Sequence, residues 1–147
     1  MDMKISTKGR YALRMLIDLA VHKDEGYIAL KTIADRQSIS KKYLEQIVPV
    51  LNKTDLLITN RGFQGGYSLG RDPKDITVGM ILRLTEGSLA PVSCLTTDTV
   101  RCDRKDICPT LPIWQGLNKV INDYLEGITL QDIVDTYEEP TSDDYVI

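Results

Sequence analysis

Every cysteine of this chain lies in one fifteen-residue stretch, "CLTTDTVRCDRKDIC", as Cys94, Cys102 and Cys108. The spacing is C-x7-C-x5-C, among Thr, Asp, Arg and Lys. Thiolates are soft ligands suited to iron–sulfur clusters and other transition-metal centres, and accessible thiolates can also be oxidised reversibly. Three thiols in one loop can converge on a metal without help from distant elements. Three is an odd number, and a reducing compartment disfavours disulfides, so a disulfide staple fits the loop poorly. Inert structural cysteines behave as small buried hydrophobes and are not usually confined to one polar loop. The stretch therefore reads as a metal-binding or redox-sensing loop.

No enzymatic chemistry competes with it. The 147 residues contain no nucleophile–base pair, HExxH, phosphate loop or dinucleotide fingerprint. The one histidine, His22, closes a helix and supplies no general base. Catalysis is not expected. At 42% hydrophobic and 27% charged residues, the composition is that of a globular protein of one domain, or of a small domain with an appended element. The opening "MDMKISTKGR" has no apolar signal core, and no apolar run approaches the ~18 residues of a membrane span. The cytoplasm is the expected compartment, with no membrane partner.

The net charge of −3 conceals an asymmetry. Residues 1–75 carry 13 Lys/Arg against 9 Asp/Glu, and residues 76–147 carry 5 against 12. A basic N-terminal half fits a module that faces DNA.

The elements that must hold the loop follow from pattern. Thr7 is a candidate cap for a first helix, with Tyr11, Leu13, Leu16, Ile17 and Ala20 at helical spacing and Gly26 as its breaker. "LKTIADRQ", residues 30–37, forms a second helix, and Ser40 caps a third through "KKYLEQIV". Pro49 is expected to kink or interrupt that helix before "VLNKTDLL". The period then changes: "LLITNRG", "FQGG" and "YSLG" read as two short strands about a glycine-rich turn. Helices followed by a hairpin in this order make a winged helix-turn-helix, a mainly α fold with a small β-hairpin wing. Thr77 then caps "VGMILRLTE", which Gly87 ends. After the cysteines, Pro112 opens "PIWQGLNKVINDYLEG", whose stripe includes Ile113, Trp114, Leu117, Val120, Ile121, Tyr124 and Leu125. That stripe is too apolar for a lone exposed helix, and a second copy would bury it. Thr129 and Asp132 form a capping box for a last helix. The expected organisation is a DNA-binding region (1–75), a connecting helix (76–90), a cysteine loop (91–110), a dimerisation helix with a terminal helix (111–138), and a flexible acidic tail (139–147).

The stretches "MKISTKGRYAL", "SKKYLEQIV" and "RGFQGGYSLGRDPKDITVGMIL" resemble the IscR/CymR (Rrf-two) family of bacterial winged-helix transcription regulators. The likeness runs from Met3 to about Tyr137. It implies a homodimer whose long C-terminal helices cross and present two winged heads to double-stranded DNA, with Trp114, Leu117, Ile121 and Tyr124 in the interface. In a helix-turn-helix, the first residues of the recognition helix meet base edges. Here these are Ser40, Lys41, Lys42 and Tyr43, with Glu45 and Gln46 one turn on. Gln46 can pair with adenine, Glu45 can accept from a cytosine amino group, and the lysines suit phosphates. A competing reading pairs Glu45 with Lys41 on the surface. Arg61, beside a turn narrowed by Gly62, Gly65 and Gly66, suits a minor groove, and Lys8 and Arg10 suit phosphates. A winged-helix adaptor that has lost DNA reading is the rival, and the basic helix and Arg61 argue against it.

The resemblance also implies an iron–sulfur cluster, of the 2Fe–2S type, on Cys94, Cys102 and Cys108. Two departures from the family stand out. The first interval is longer, and Leu111 stands where cluster-binding members place a histidine. Another branch uses an N-terminal acidic ligand, where this chain has Arg10. The fourth ligand is left to Asp98, Asp103, Asp106, a small molecule or water. The ending "DDYVI" resembles the C-terminal peptide of serine acetyltransferases that inserts into cysteine synthase. Asp144, Tyr145, Val146 and Ile147 are thus a candidate docking tail for cysteine synthase.

Overall fold

The architecture is held together by its first helix. In the computed structural model, which describes residues 4–63, 65–97, 100 and 103–137, α1 (Thr7–Val21) packs against α2 (Leu30–Gln37), α3 (Lys41–Leu51), α4 (Val78–Glu86), α6 (Leu130–Thr136) and the strand β2 (Gly66–Leu69). Ala12, Met15, Leu16 and Leu19, at helical spacing, are essentially fully buried. Leu44, Ile47 and Leu51 of α3, together with Ile33, Ile76, Ile81 and Leu130, join the same core. The elements after residue 75 therefore close the winged region rather than hang from it.

The cap of α1 is Ser6, not Thr7. The Ser6 hydroxyl accepts from Gly9 N–H at 3.0 Å, while Thr7 lies inside the first turn and accepts from Arg10 at 3.1 Å. The choice is made from the far end of α4. Ser6 N–H and Oγ both donate to Glu86 Oε1 at 2.8 Å, which holds residue 6 in the extended backbone a cap needs. A Cβ at Gly9 would lie 2.4 Å from that same carboxylate oxygen, so a larger residue there would push the Glu86 side chain from this position.

An ion pair on a buried carboxylate ties α1 to α2. Asp18, 2% exposed, receives Arg36 in a two-point contact (Nη2–Oδ1 2.6 Å, Nε–Oδ2 3.1 Å), and Gln37 Nε2 donates to it at 2.9 Å. His22 closes α1, its backbone N–H donating to Asp18 O at 3.1 Å and its Nδ1 lying 2.9 Å from that oxygen. Gly26, at φ 75°, then reverses the chain. Between α2 and α3, Ser38 takes the left-handed conformation (φ 55°) usual for a glycine, and its backbone N–H donates to Ala34 O.

Ser40 caps α3 as expected, but Pro49 does not break it. The helix runs through Pro49 and ends at Leu51, and residues 52–56 form turns rather than a further helix. Placed in the last turn, the missing N–H costs only one bond, and Asn52 N–H takes the Val48 carbonyl at 2.9 Å.

The wing pairs β1 (Leu57–Asn60) antiparallel with β2, in register Leu57↔Leu69 to Asn60↔Gly66. Ile28 bridges Tyr67 from the other side through bonds of 2.9 and 2.8 Å. Gly66 permits this approach, since a Cβ there would stand 2.4 Å from the Ile28 carbonyl. The Thr77 cap and the Thr129–Asp132 capping box form as expected, and Gly87 (φ 80°) ends α4.

Helix α5 (Leu111–Glu126) starts one residue before Pro112, which occupies its second position. Its polarity is reversed. Toward α4 it presents Asn122 and Glu126, both held by Arg83, with Asn122 Oδ1 accepting at 2.7 Å and Thr77 Oγ1 donating to Glu126 at 3.2 Å. Outward it presents Ile113 (59% exposed), Val120 (64%) and Tyr124 (68%). An apolar face turned to solvent across a polar inner face has the character by which interaction surfaces are recognised.

Candidate nucleic-acid interface and cysteine loop

The recognition helix stands free on one side. Ser40, Lys41, Lys42, Glu45 and Gln46 are exposed, and Leu44, Ile47 and Val48 are buried beneath them. The Ser40 hydroxyl accepts from Tyr43 N–H at 3.0 Å and so serves the helix first. Tyr43 is half-buried, edge-on to Tyr11 of α1 with ring centroids 5.3 Å apart. Arg14 stacks over Tyr11 at 5.3 Å and also binds the Gln37 carbonyl and side chain. This column fixes the start of α3 to α1 and to the end of α2. Among the described residues, Glu45 forms no ion pair with Lys41 and keeps its carboxylate available.

The wing projects beside α3. Arg61 is exposed, and the turn tightens as Gly62 N–H donates to Asn60 Oδ1 at 3.0 Å. Gly65 passes close to the Asn60 carbonyl, where a Cβ would be at 2.6 Å, while Gly66 is buried against Ile28. The smallness of these two glycines serves backbone packing. Phe63 is fully exposed at the tip (103%) and is the chain's one phenylalanine. Sequence reasoning passed over it, although an aromatic at the tip of a turn was a readable signal. Lys8 is half-buried and Arg10 exposed on the first turn of α1.

In the loop, Cys94 sits half-buried in a short turn, Ser93–Leu95, and Cys108 is half-buried just ahead of α5. Both are free thiols. The Thr110 hydroxyl, 3.4 Å from Cys108 Sγ, holds that thiol below its ordinary range, helped by the Thr110 and Leu111 backbone and by the charge of Arg104, against a smaller opposing effect of burial. A thiol ahead of a helix N-terminus with lowered proton affinity is a competent soft ligand and a competent redox nucleophile. Cys102 and Asp98 lie outside the described residues, and among the described residues no three of His, Cys, Asp and Glu gather in metal-binding geometry. Leu111 is buried as the first residue of α5, and Asp103 and Asp106 are exposed. Cys94 and Cys108 are partly accessible thiols of the type that ligates an iron–sulfur group. The tail residues Asp144, Tyr145, Val146 and Ile147 also lie outside the described residues.

A capped recognition helix, a helix pair locked in front of it and a two-stranded wing define a winged helix-turn-helix DNA-binding protein. Residues 5–136 match the Rrf2 family, described as iron-dependent transcriptional regulators, and the chain belongs to that family. It is 38% identical over 136 residues to the HTH-type transcriptional regulator IscR of Pectobacterium atrosepticum, covering 92% of this chain and 82% of that one. The structure of CymR, the global cysteine regulator of B. subtilis, superposes with a TM-score of 0.76 at 36% identity, covering 92% of this chain and 98% of that one. IscR of T. potens superposes with a TM-score of 0.73 at 40% identity, covering 92% and 89%. The protein is thus a transcription regulator of the IscR/CymR type and not an enzyme.

Proposed function

We propose that the protein is a dimeric repressor that reads promoter DNA with α3 in the major groove and the wing in the minor groove, and that senses iron–sulfur supply through Cys94, Cys102 and Cys108. The observation that carries the DNA reading is the row of exposed Lys41, Lys42, Glu45 and Gln46 on a helix whose buried side is anchored to α1 and α2. In this reading Arg61 and Phe63 enter the minor groove together, the cation drawn by its potential and the ring giving an apolar contact. Lys8 and Arg10 take phosphates. Cys94, Cys102 and Cys108 would hold the cluster, which when bound supplies a redox-sensitive and oxygen-sensitive centre. Gaining or losing it changes the loop that feeds α5, and a difference in operator affinity between the two loop states is the output. The reversed polarity of α5 supports the dimer.

Gln46→Ala and Arg61→Ala should each weaken binding to the promoter of the protein's own gene by about 1–3 kcal/mol, read by fluorescence anisotropy. Unchanged affinity in both would reject this docking. For the sensor, protein purified without oxygen is expected to be coloured and to contain iron and acid-labile sulfide. Cys94→Ala or Cys108→Ala should remove both while the far-ultraviolet circular dichroism stays unchanged.

A second reading, supported by the likeness to CymR, is a cluster-free repressor of cysteine metabolism controlled by thiol oxidation. Colourless protein with three titratable thiols would decide for it. In that reading the Asp144–Ile147 tail reports sulfur status by docking into cysteine synthase, where the terminal carboxylate of Ile147 takes the place of the substrate's. A peptide ending "TSDDYVI" should then inhibit the enzyme, and the same peptide without Ile147 should not.

A further inference from the structure

Between the last turn of α3 and the wing lies an open crevice of about 620 Å³, outside the residues assigned above to base reading except at its Arg61 rim. Its polar lining is Asn52, Lys53, Thr59, Asn60, Arg61 and Tyr67, and none of the described residues lining it is acidic. The crevice lies in the basic half of the chain, where residues 1–75 carry 13 Lys/Arg against 9 Asp/Glu, and its wall adds two cations without a carboxylate.

The donors are also aimed by their own partners. Thr59 Oγ1 donates to Asn52 Oδ1 at 3.4 Å, and Gly62 N–H donates to Asn60 Oδ1 at 3.0 Å. Each amide has its acceptor engaged, and neither Nδ2 has a described partner. Three of the carbonyls at the end of α3 are engaged within the chain. Those of Val48, Val50 and Leu51 accept from the backbone N–H groups of Asn52, Lys53 and Thr54. What remains is a cleft edged by two cations and two primary amides. Such a cleft takes an oxyanion, and an exposed groove of this sign beside a recognition helix takes one that DNA supplies.

The geometry points to a phosphate clamp: Lys53 and Asn52, with Asn60 opposite, hold a backbone phosphodiester of the strand that passes between α3 and the wing. The clamp rests on the DNA-binding reading and adds to it a contact that carries no sequence information. It sets the distance between helix and wing on the duplex, so that α3 and Arg61 engage in register.

Two duplexes of equal length, one from the protein's own promoter and one of random sequence, test this with the full-length protein by anisotropy across a potassium chloride series. Lys53→Ala should weaken both duplexes alike, by about tenfold near ~0.1 M salt, and lower the slope of log K against log salt by about 1. Lys53→Arg should restore both quantities, and Asn52→Asp should weaken both duplexes by placing a carboxylate in the cleft. Both residues are exposed, so unchanged circular dichroism is expected. Lys53→Ala and Asn52→Asp with unaltered affinity and slope would overturn the clamp, while Gln46→Ala still weakening the promoter duplex would leave the DNA reading standing. Wild-type protein binding neither duplex would remove both.

Discussion

Val120→Asp is expected to divide the protein into monomers and to weaken promoter binding by roughly 10²- to 10⁴-fold. Ile113, Val120 and Tyr124 lie on one outward face of α5 at 59, 64 and 68% exposure, with Trp114, Leu117 and Ile121 half-buried at its edge. A carboxylate in the middle of that face would be buried without a partner on association, at a cost of several kcal/mol. Two linked heads bind two half-sites with an effective local concentration in the millimolar range, and separating them forfeits that gain, about 10²- to 10⁴-fold. Val120 serves better than Trp114 because so much of its side chain is free of the protein's own core. Loss of dimerisation can then be read apart from loss of folding. Sedimentation of the variant beside wild type, with circular dichroism, gives the answer, and an unaltered dimer would reject this face as the interface.

The largest effect on stability is expected from Arg36→Ala, a loss of about 3–5 kcal/mol. Asp18 is 1% exposed at its side chain, and Arg36 engages both of its oxygens, so removing the guanidinium leaves a buried carboxylate with Gln37 Nε2 as its main donor. For a chain of 147 residues this corresponds to a fall in Tm of roughly 6–20 °C, measured by thermal unfolding. Arg36→Lys should recover only part of it, because one ammonium cannot span two carboxylate oxygens in the same geometry. A shift of less than about 2 °C for Arg36→Ala would mean that the pair is hydrated and contributes little. The pair also matters for recognition. It fixes α2 against α1, and through Gln37 and Arg14 the Tyr11–Tyr43 contact at the head of α3.

Local signals were legible where one residue type settles local geometry. The Ser40, Thr77 and Thr129 caps and the strands on either side of the glycine-rich turn follow from side-chain hydrogen bonds or backbone restrictions within four residues. Illegible were the features decided across the chain. Thr7 is the cap read from sequence, and the bonds that hold Ser6 in that place come from Glu86, eighty residues away. Pro49 reads as a breaker until the helix is seen to end two residues later. The apolar stripe of α5 was visible, and its breadth already pointed to burial against a second copy, but its period alone does not say which residues turn outward. Only the seating of Asn122 and Glu126 on Arg83 shows which way it points. For the candidate site, the recognition helix could be named residue by residue because its exposed positions are the complement of Leu44, Ile47 and Val48. Asn52 and Lys53 could not, since their significance depends on the wing folding back beside them.

The Ser6–Glu86 clasp restricts how this protein can change through descent. Glu86 reaches the cap only because residue 9 has no side chain, and a methyl group at position 9 would sit 2.4 Å from its carboxylate oxygen. A lineage that first acquires alanine at position 9 loses the clasp, and one that first loses Glu86 leaves both the Ser6 N–H and its hydroxyl without their acceptor. Either change alone alters the cap of α1, and both act on the same two hydrogen bonds. Substitutions at positions 9 and 86 are therefore coupled: the effect of one on the start of α1 depends on which residue stands at the other.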